Sequence, residues 1–146
     1  MREILFKAKR VKNGEWIEGS LIDLDIDSGY CYIVPPYKGA STLPINFLIT
    51  DGMKLVIPET LCQFTGLCDR YRNKIWENDI VTCQTRYGGD IGKVVFHNGK
   101  FCVLWNSTYH YSRNGECKNY YDINTKNSVK GNVFDNPELL QEESDE

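Results

Sequence analysis

Residues 62–81, CQFTGLCDRYRNKIWENDIV, are the stretch that decides the fold. It contains two short apolar runs, residues 64–67 and 75–81, which are separated by a polar hinge. Short apolar runs bounded by turn-forming residues are typical of buried β-strands. We expect Trp76, which is flanked by Ile75 and Ile80, to anchor the hydrophobic core. This stretch is expected to have a structural role in the core, and it contains no recognisable catalytic motif.

Asn-Gly pairs predict hairpins on both sides of this stretch, because both residues tolerate the positive φ that a type I′ turn requires. Asn98-Gly99 separates two β-rich runs, residues 91–97 and 100–105, and gives the strongest hairpin signal. Asn13-Gly14 predicts a hairpin over residues 3–24. Asn114-Gly115 indicates a third hairpin, and its strands would be residues 109–111 and 120–121.

The remaining segments complete a mainly β interpretation. Strands are expected at residues 30–34 and 55–57, each ended by proline, since proline lacks a donor for the sheet. Residues 82–90 are polar and glycine-containing, which favours a loop or a bulge at a strand end. Residues 129–134 are the candidate for a strand that closes the sheet.

A short C-terminal helix is predicted after Asn136. Asn136 would be its N-cap, with Pro137 at the first helical position and Glu138 in the first turn. So short a helix needs to dock Leu139 and Leu140 on the sheet, because isolated helices of this length are marginal. The predicted fold is therefore mainly β, a small barrel-like or folded antiparallel sheet, with an SH3-like barrel as one option.

Length and charge predict one neutral domain with an acidic tail. A chain of 146 residues can bury a single core, so we expect one domain over residues 1–141. The net charge is −3, and residues 142–146 carry four of the 20 acidic groups, so the rest of the chain has 17 basic and 16 acidic residues. Nucleic-acid binders usually show a basic excess. The tail is expected to be disordered.

The sequence gives no catalytic, metal or cofactor site. Cys62 and Cys68 have five residues between them, no CxxC motif occurs, and His97 and His110 are isolated. Asp79 is expected to cap backbone donors in a turn rather than to act in acid–base chemistry. No secretory signal precedes the six cysteines, so we expect reduced thiols in the cytoplasm, and no apolar run is long enough for a membrane span.

Three parts of the chain resemble the YopX family of phage and prophage proteins. Residues 63–81 resemble the family hallmark, approximately QYTGLKDKNGKKIYEGDIV. Residues 1–8 resemble the family's opening, and residues 129–140, VKGNVFDNPELL, resemble its closing motif, IGNIYENPELL. The resemblance implies a phage-encoded protein in a bacterial host cell, with no assigned activity, no catalytic residues to transfer and a tendency to self-associate.

The hallmark departs from this chain at two turn positions. Tyr71-Arg72 stands where the family has Asn-Gly, so the hinge need not form the same turn. Asn78 stands where the family has glycine. Asparagine is the non-glycine residue that best tolerates a left-handed backbone, so we expect the turn at Asn78 to survive.

Two surfaces are candidates for function. Tyr109, Tyr111, Tyr120 and Tyr121 cluster in a polar stretch with few aliphatic residues, which favours a protein–protein surface. We therefore expect a non-enzymatic module that binds itself, or another phage or host protein.

The alternative is a nucleic-acid-associated, SH3-like module. Glycine spacing over residues 88–101 vaguely resembles such barrels. A basic and aromatic patch, suited to base stacking and phosphate contact, would then be formed by Lys93, His97, Lys100 and Trp105. Nucleic acid is the less favoured partner because these glycines equally suit ordinary β-turns.

Overall fold

The computed structural model describes residues 2–36, 51–85, 88–105, 120–124 and 126–140, without the side chains at 83–85, 88–90 and 105. The described residues form strands and short 3₁₀ turns but no α-helix. The strands are β1 (Phe6–Lys9), β2 (Trp16–Asp25), β3 (Tyr30–Val34), β4 (Lys54–Leu55), β5 (Cys62–Cys68), β6 (Lys74–Trp76), β7 (Asp79–Thr85), β8 (Gly88–His97), β9 (Lys100–Trp105), β10 (Tyr120–Asp122) and β11 (Ser128–Asn132).

The strands make two antiparallel sheets, in the orders β4-β3-β2-β1-β5-β6 and β10-β9-β8-β7-β11. The mainly β prediction is confirmed. In the part of the chain that the structure describes, neither sheet is closed, so the barrel-like prediction is not confirmed. The contacts also divide the chain into two compact units, residues 1–64 and 65–146, and the division falls within β5. The predicted single domain over residues 1–141 stays a prediction, and the tail at 142–146 lies outside the described residues.

The core of the first unit follows the alternation of its strands. Side chains at alternate positions of β1, β2 and β3 point to one face and exclude water there. Fully buried residues that pack together in one cluster here are Ala8, Cys31, Ile33 and Val56. Gly19 is also buried, and a Cβ at this position would lie 2.1 Å from the carbonyl oxygen of Val34. Glycine therefore allows β2 and β3 to approach each other.

The hairpin predicted over residues 3–24 is confirmed, but the prediction that its turn is of type I′ is wrong. Of the two turn residues, only Gly14 has a positive φ, of 71°. The loop is longer than two residues, since Arg10 N–H donates to the carbonyl of Glu15 at 2.9 Å and Gly14 N–H donates to Arg10 at 2.8 Å. The Asn13 side chain accepts a hydrogen bond from Glu15 N–H at 3.0 Å. Asparagine therefore acts here through its side chain.

The second hairpin is confirmed in full. Residues 92–97 of β8 pair with residues 100–105 of β9, and Asn98 and Gly99 both have positive φ, of 49° and 78°. Residues 82–90 were expected to be a loop or bulge, but their described parts, residues 82–85 and 88–90, form the paired ends of β7 and β8. The prediction was wrong because polar and glycine-containing sequence can still pair when two long strands extend past the core.

The core of the second unit is built around the hallmark. Ile75, Val81, Val94 and Val103 are fully buried and form one cluster. Trp76 is only 4% exposed, which confirms its predicted place in the interior. The Asp79 carboxylate accepts a hydrogen bond from Trp76 N–H at 2.9 Å, so Asp79 caps a backbone donor as predicted.

Asn78 adopts the left-handed conformation that the sequence predicts, with φ of 69°. Its N–H donates to the carbonyl of Val94 at 2.8 Å, and its carbonyl accepts from Val133 N–H at 3.0 Å. The turn therefore connects β8 with the segment that follows β11. Arg72, at the other family glycine position, also has a positive φ, of 67°.

The C-terminal prediction requires a correction. Residues Pro137–Leu140 form a single 3₁₀ turn rather than a helix. The Asn136 side chain accepts from Asn132 N–H at 3.3 Å, which lies before the turn, instead of capping a helix after it. Residues 128–132 form the predicted last strand, although it lies at the sheet edge beside β7. For the hairpin predicted around Asn114-Gly115, the turn and residues 109–111 lie outside the described residues, while residues 120–121 lie in β10, which pairs with β9.

Substitutions of Asn78 test how much the positive φ at this position costs a residue with a bulky side chain. We expect Asn78→Gly to be neutral or stabilising, because glycine adopts positive φ without strain. Asn78→Val should lower the free energy of unfolding by about 1–2 kcal/mol or more, because a β-branched side chain clashes in this region. Urea unfolding measures both. Equal unfolding midpoints for the two variants would contradict the explanation.

Candidate functional site

The β8–β9 hairpin brings three of the four predicted nucleic-acid contacts onto one face. In antiparallel strands, directly paired residues share a face and successive residues alternate. His97 pairs with Lys100, and Lys93 pairs with Leu104, so the three basic residues have the same phase. Trp105 pairs with Gly92, one position out of phase, and its side chain is not described. The pairing therefore separates the tryptophan position from the basic positions.

Two of the three basic residues, Lys100 and His97, are in contact with side chains of β10. The Lys100 ammonium lies 2.7 Å from Asp122 Oδ1, and the hydrogen bond and charge of Asp122 raise the pKa of Lys100. The pair is exposed, with 61% and 80% of the two side chains accessible, so it adds little stability. It nevertheless compensates the positive charge locally. The nucleic-acid assignment of this face stays a prediction.

His97 makes a stacked contact with Tyr120. The two rings are nearly parallel, with an interplanar angle of 3° and centroids 3.8 Å apart. Strand β10 pairs with β9 so that Tyr120 lies opposite Leu104 and Asp122 lies opposite Cys102. The ring stack and the ion pair therefore join β10 to residues at the tip of the β8–β9 hairpin.

Strand β10 is the edge of its sheet, and it carries two of the four predicted surface tyrosines. Tyr120 and Tyr121 are 44% and 40% exposed, and they are adjacent on an extended strand, so they point to opposite faces. Among the described strands, β10 has only β9 as a neighbour. Tyr109 and Tyr111 lie outside the described residues. We call Tyr120, Tyr121 and the β10 backbone the tyrosine edge.

Asp69 is a buried polar centre that the sequence did not reveal. It is 5% exposed, and its Oδ1 accepts from Tyr71 N–H at 2.8 Å and Asn73 N–H at 2.9 Å. Its Oδ2 accepts from Asn73 Nδ2 at 3.2 Å and from Val129 N–H at 3.1 Å. Burial alone would raise the pKa of Asp69, but the hydrogen bonds from Val129, Asn73 and Tyr71 lower it overall. This one carboxylate closes the turn after β5 and holds β11 at the same time.

The described cysteines are not grouped as ligands of a metal ion. Cys31, Cys62, Cys68 and Cys102 take part in no disulfide. Burial, with a further contribution from Asp23, raises the pKa of Cys31, and burial raises the pKa of Cys102. Both thiols are therefore protonated and poorly nucleophilic at neutral pH. Within the described part of the chain, no three His, Cys, Asp or Glu side chains are grouped to hold a metal ion.

Comparison with known proteins gives a family and a fold. The family model described as YopX protein matches residues 5–141. A crystal structure of protein EF1440 from Enterococcus faecalis is similar to this chain, with a TM-score of 0.51 and 18% identity, over 97% of this chain and 100% of that one. At this identity the similarity shows the fold alone. No functionally curated protein matches. No helix among the described residues has the length and apolar character needed to cross a membrane.

Replacing Asp69 tests its role as a buried hydrogen-bond centre. Asp69→Asn should cost about 2–4 kcal/mol at pH 7, because an amide cannot accept from four N–H donors at both of its terminal atoms. Since the folded pKa is lowered, the carboxylate stabilises the fold above the unfolded pKa near 4, and this contribution is lost as pH falls through the folded pKa.

The difference between wild type and Asp69→Asn should therefore shrink towards acid pH in urea unfolding experiments. Asp27→Asn is the matched control, because Asp27 is exposed, and it should change the stability by less than about 0.5 kcal/mol. A difference between wild type and Asp69→Asn that stays constant from pH 7 to acid pH would rule out the ionised carboxylate as the cause.

Proposed function

Because the chain belongs to the YopX family, we propose that it is a phage-encoded, non-enzymatic binding module that self-associates through the tyrosine edge. The observation that carries this proposal is the exposure of β10 at the end of the five-stranded sheet, with an exposed tyrosine on each of its faces. An edge strand presents backbone N–H and C=O groups that can pair with another strand. Tyrosine adds apolar contact area and a hydroxyl group at low conformational cost.

The tyrosine edge is preorganised for such pairing. The His97–Tyr120 stack and the Lys100–Asp122 ion pair both join β10 to the hairpin beside it. A strand that is already held in the extended conformation loses less conformational entropy when a partner strand adds to it. The same two contacts engage His97 and Lys100, two of the three basic residues that the nucleic-acid alternative would need. The geometry therefore favours protein over nucleic acid as the partner of this face.

A second copy of the chain is the simplest occupant. Two copies of one antiparallel edge can pair around a two-fold axis, which makes the interface self-complementary. With the axis at Tyr121, Tyr120 of one copy lies opposite Asp122 of the other, so no like charges face each other directly. Strand β10 has only three residues, and stable interfaces bury about 1,200–2,000 Å². We therefore expect a weak dimer, with a Kd on the order of 10–100 µM.

Sedimentation equilibrium over a concentration series tests this proposal. Wild type should show a monomer–dimer equilibrium, and Tyr121→Glu should be monomeric throughout, because a charge on an edge strand opposes pairing. The matched control is Tyr30→Glu, which changes another exposed tyrosine, 56% accessible, and should leave the equilibrium unchanged. A wild type that is strictly monomeric at millimolar concentration, or a Tyr121→Glu variant that dimerises normally, would overturn the proposal.

A further inference from the structure

The turn between β5 and β6 presents two arginines and a tyrosine to solvent. Arg70, Tyr71 and Arg72 are all exposed, and 65% of Tyr71 is accessible. Lys74 follows at the start of β6. The chain as a whole has a net charge of −3, so this concentration of positive charge is a local feature. We call Arg70, Tyr71 and Arg72 the arginine tip.

The negative charge next to this tip does not reach the surface. Asp69 precedes Arg70, but it is 5% exposed, and its carboxylate accepts hydrogen bonds from N–H groups of the turn and of β11. The groups that the tip exposes are therefore the two guanidinium groups and the Tyr71 ring. Asp69 N–H also donates to Asn73 at 2.8 Å, and Arg72 N–H donates to Asp69 at 3.0 Å. These bonds fix the backbone from which the side chains project.

Arg72 occupies a backbone conformation that disfavours arginine. Its φ of 67° lies in the left-handed region, where glycine adopts the conformation without strain. Within the described part of the chain, the Arg72 side chain makes no ion pair or hydrogen bond that would repay this cost. Strained positions that bring no gain in stability point to a role in binding. The guanidinium is the group that distinguishes this residue from glycine, so the role belongs to its charge.

The Tyr71 ring determines which kind of anionic ligand the arginine tip would bind. The Arg70 guanidinium carbon lies over the Tyr71 ring, 5.3 Å from its centre, so the cation packs on one face of the ring and a base would stack on the other. Unpaired bases stack on exposed aromatic rings and on guanidinium groups, while arginines bind the phosphates between the bases. An acidic peptide would use the arginines but would gain nothing from the ring.

We propose that the arginine tip binds single-stranded nucleic acid, with a base stacked on Tyr71 and phosphates held by Arg70 and Arg72. This proposal is independent of self-association, because the tip and the tyrosine edge share no residue. It also differs from the predicted patch on β8 and β9, whose Lys100 is paired with Asp122. The tip is thus a second interaction surface with a different kind of partner.

Fluorescence anisotropy of a labelled oligothymidylate of about 20 residues, titrated with the full chain at about 50 mM salt, tests the proposal. Tyr71→Ala should weaken binding about tenfold through loss of stacking. Arg72→Gly should weaken binding and reduce the slope of log K against log salt by about 0.7. The same variant should raise the Tm, because glycine relieves the strain at positive φ. Misfolding cannot produce lower affinity together with higher stability.

Two matched variants and one competing ligand complete the design. Tyr30→Ala and Arg2→Gly remove an exposed tyrosine and an exposed arginine elsewhere, and both should bind as wild type does. Tyr121→Glu should also retain wild-type affinity, which distinguishes this proposal from self-association. Absence of binding at about 50 mM salt, or unchanged affinity of both Tyr71→Ala and Arg72→Gly, would overturn it. Equal binding of polyglutamate that depends on the arginines but not on Tyr71 would also overturn it.

Discussion

The carboxylate of Asp69 is the contact on which the second unit depends. Four N–H donors from three residues meet it, and one of them, on Val129, is 60 positions away in the chain. A buried charge is costly unless its hydrogen-bonding capacity is filled, and here both oxygens are filled from the protein itself. The turn after β5 and the strand β11 are therefore held by the same group. Local turn geometry and long-range pairing are thus coupled through one side chain.

This arrangement joins the two stretches of the chain that resemble the family hallmark and the closing motif. The hallmark supplies Asp69 and Asn78, and the segment around β11 supplies Val129 and Val133, which donate to Asp69 and to the Asn78 carbonyl. Gly131 adds a steric requirement, because a Cβ there would lie 2.3 Å from the Asn136 side-chain oxygen. Residues of the two motifs are thus hydrogen-bonded to each other.

The sequence was most informative where structure is decided within a few residues. Asn98-Gly99 and Asn78 were predicted correctly, because positive φ is a property of one or two positions. The type I′ turn at Asn13 was wrong, because a side-chain hydrogen bond from Glu15 N–H competes with the tight turn. Asp69 was missed because a partner 60 residues away has no local signature. Likewise, strand register, which places Trp105 out of phase with Lys93, cannot be read from residue types.

Arg72 shows that handedness and charge are separable at one position. A backbone at φ near +67° is unfavourable for an L-residue and is the natural region of a D-residue. Chemical synthesis with D-arginine at this site would keep the guanidinium and remove the conformational cost. Mirror-image chemistry could thus distinguish what the side chain contributes from what the main chain loses, a separation that none of the twenty genetically encoded residues allows.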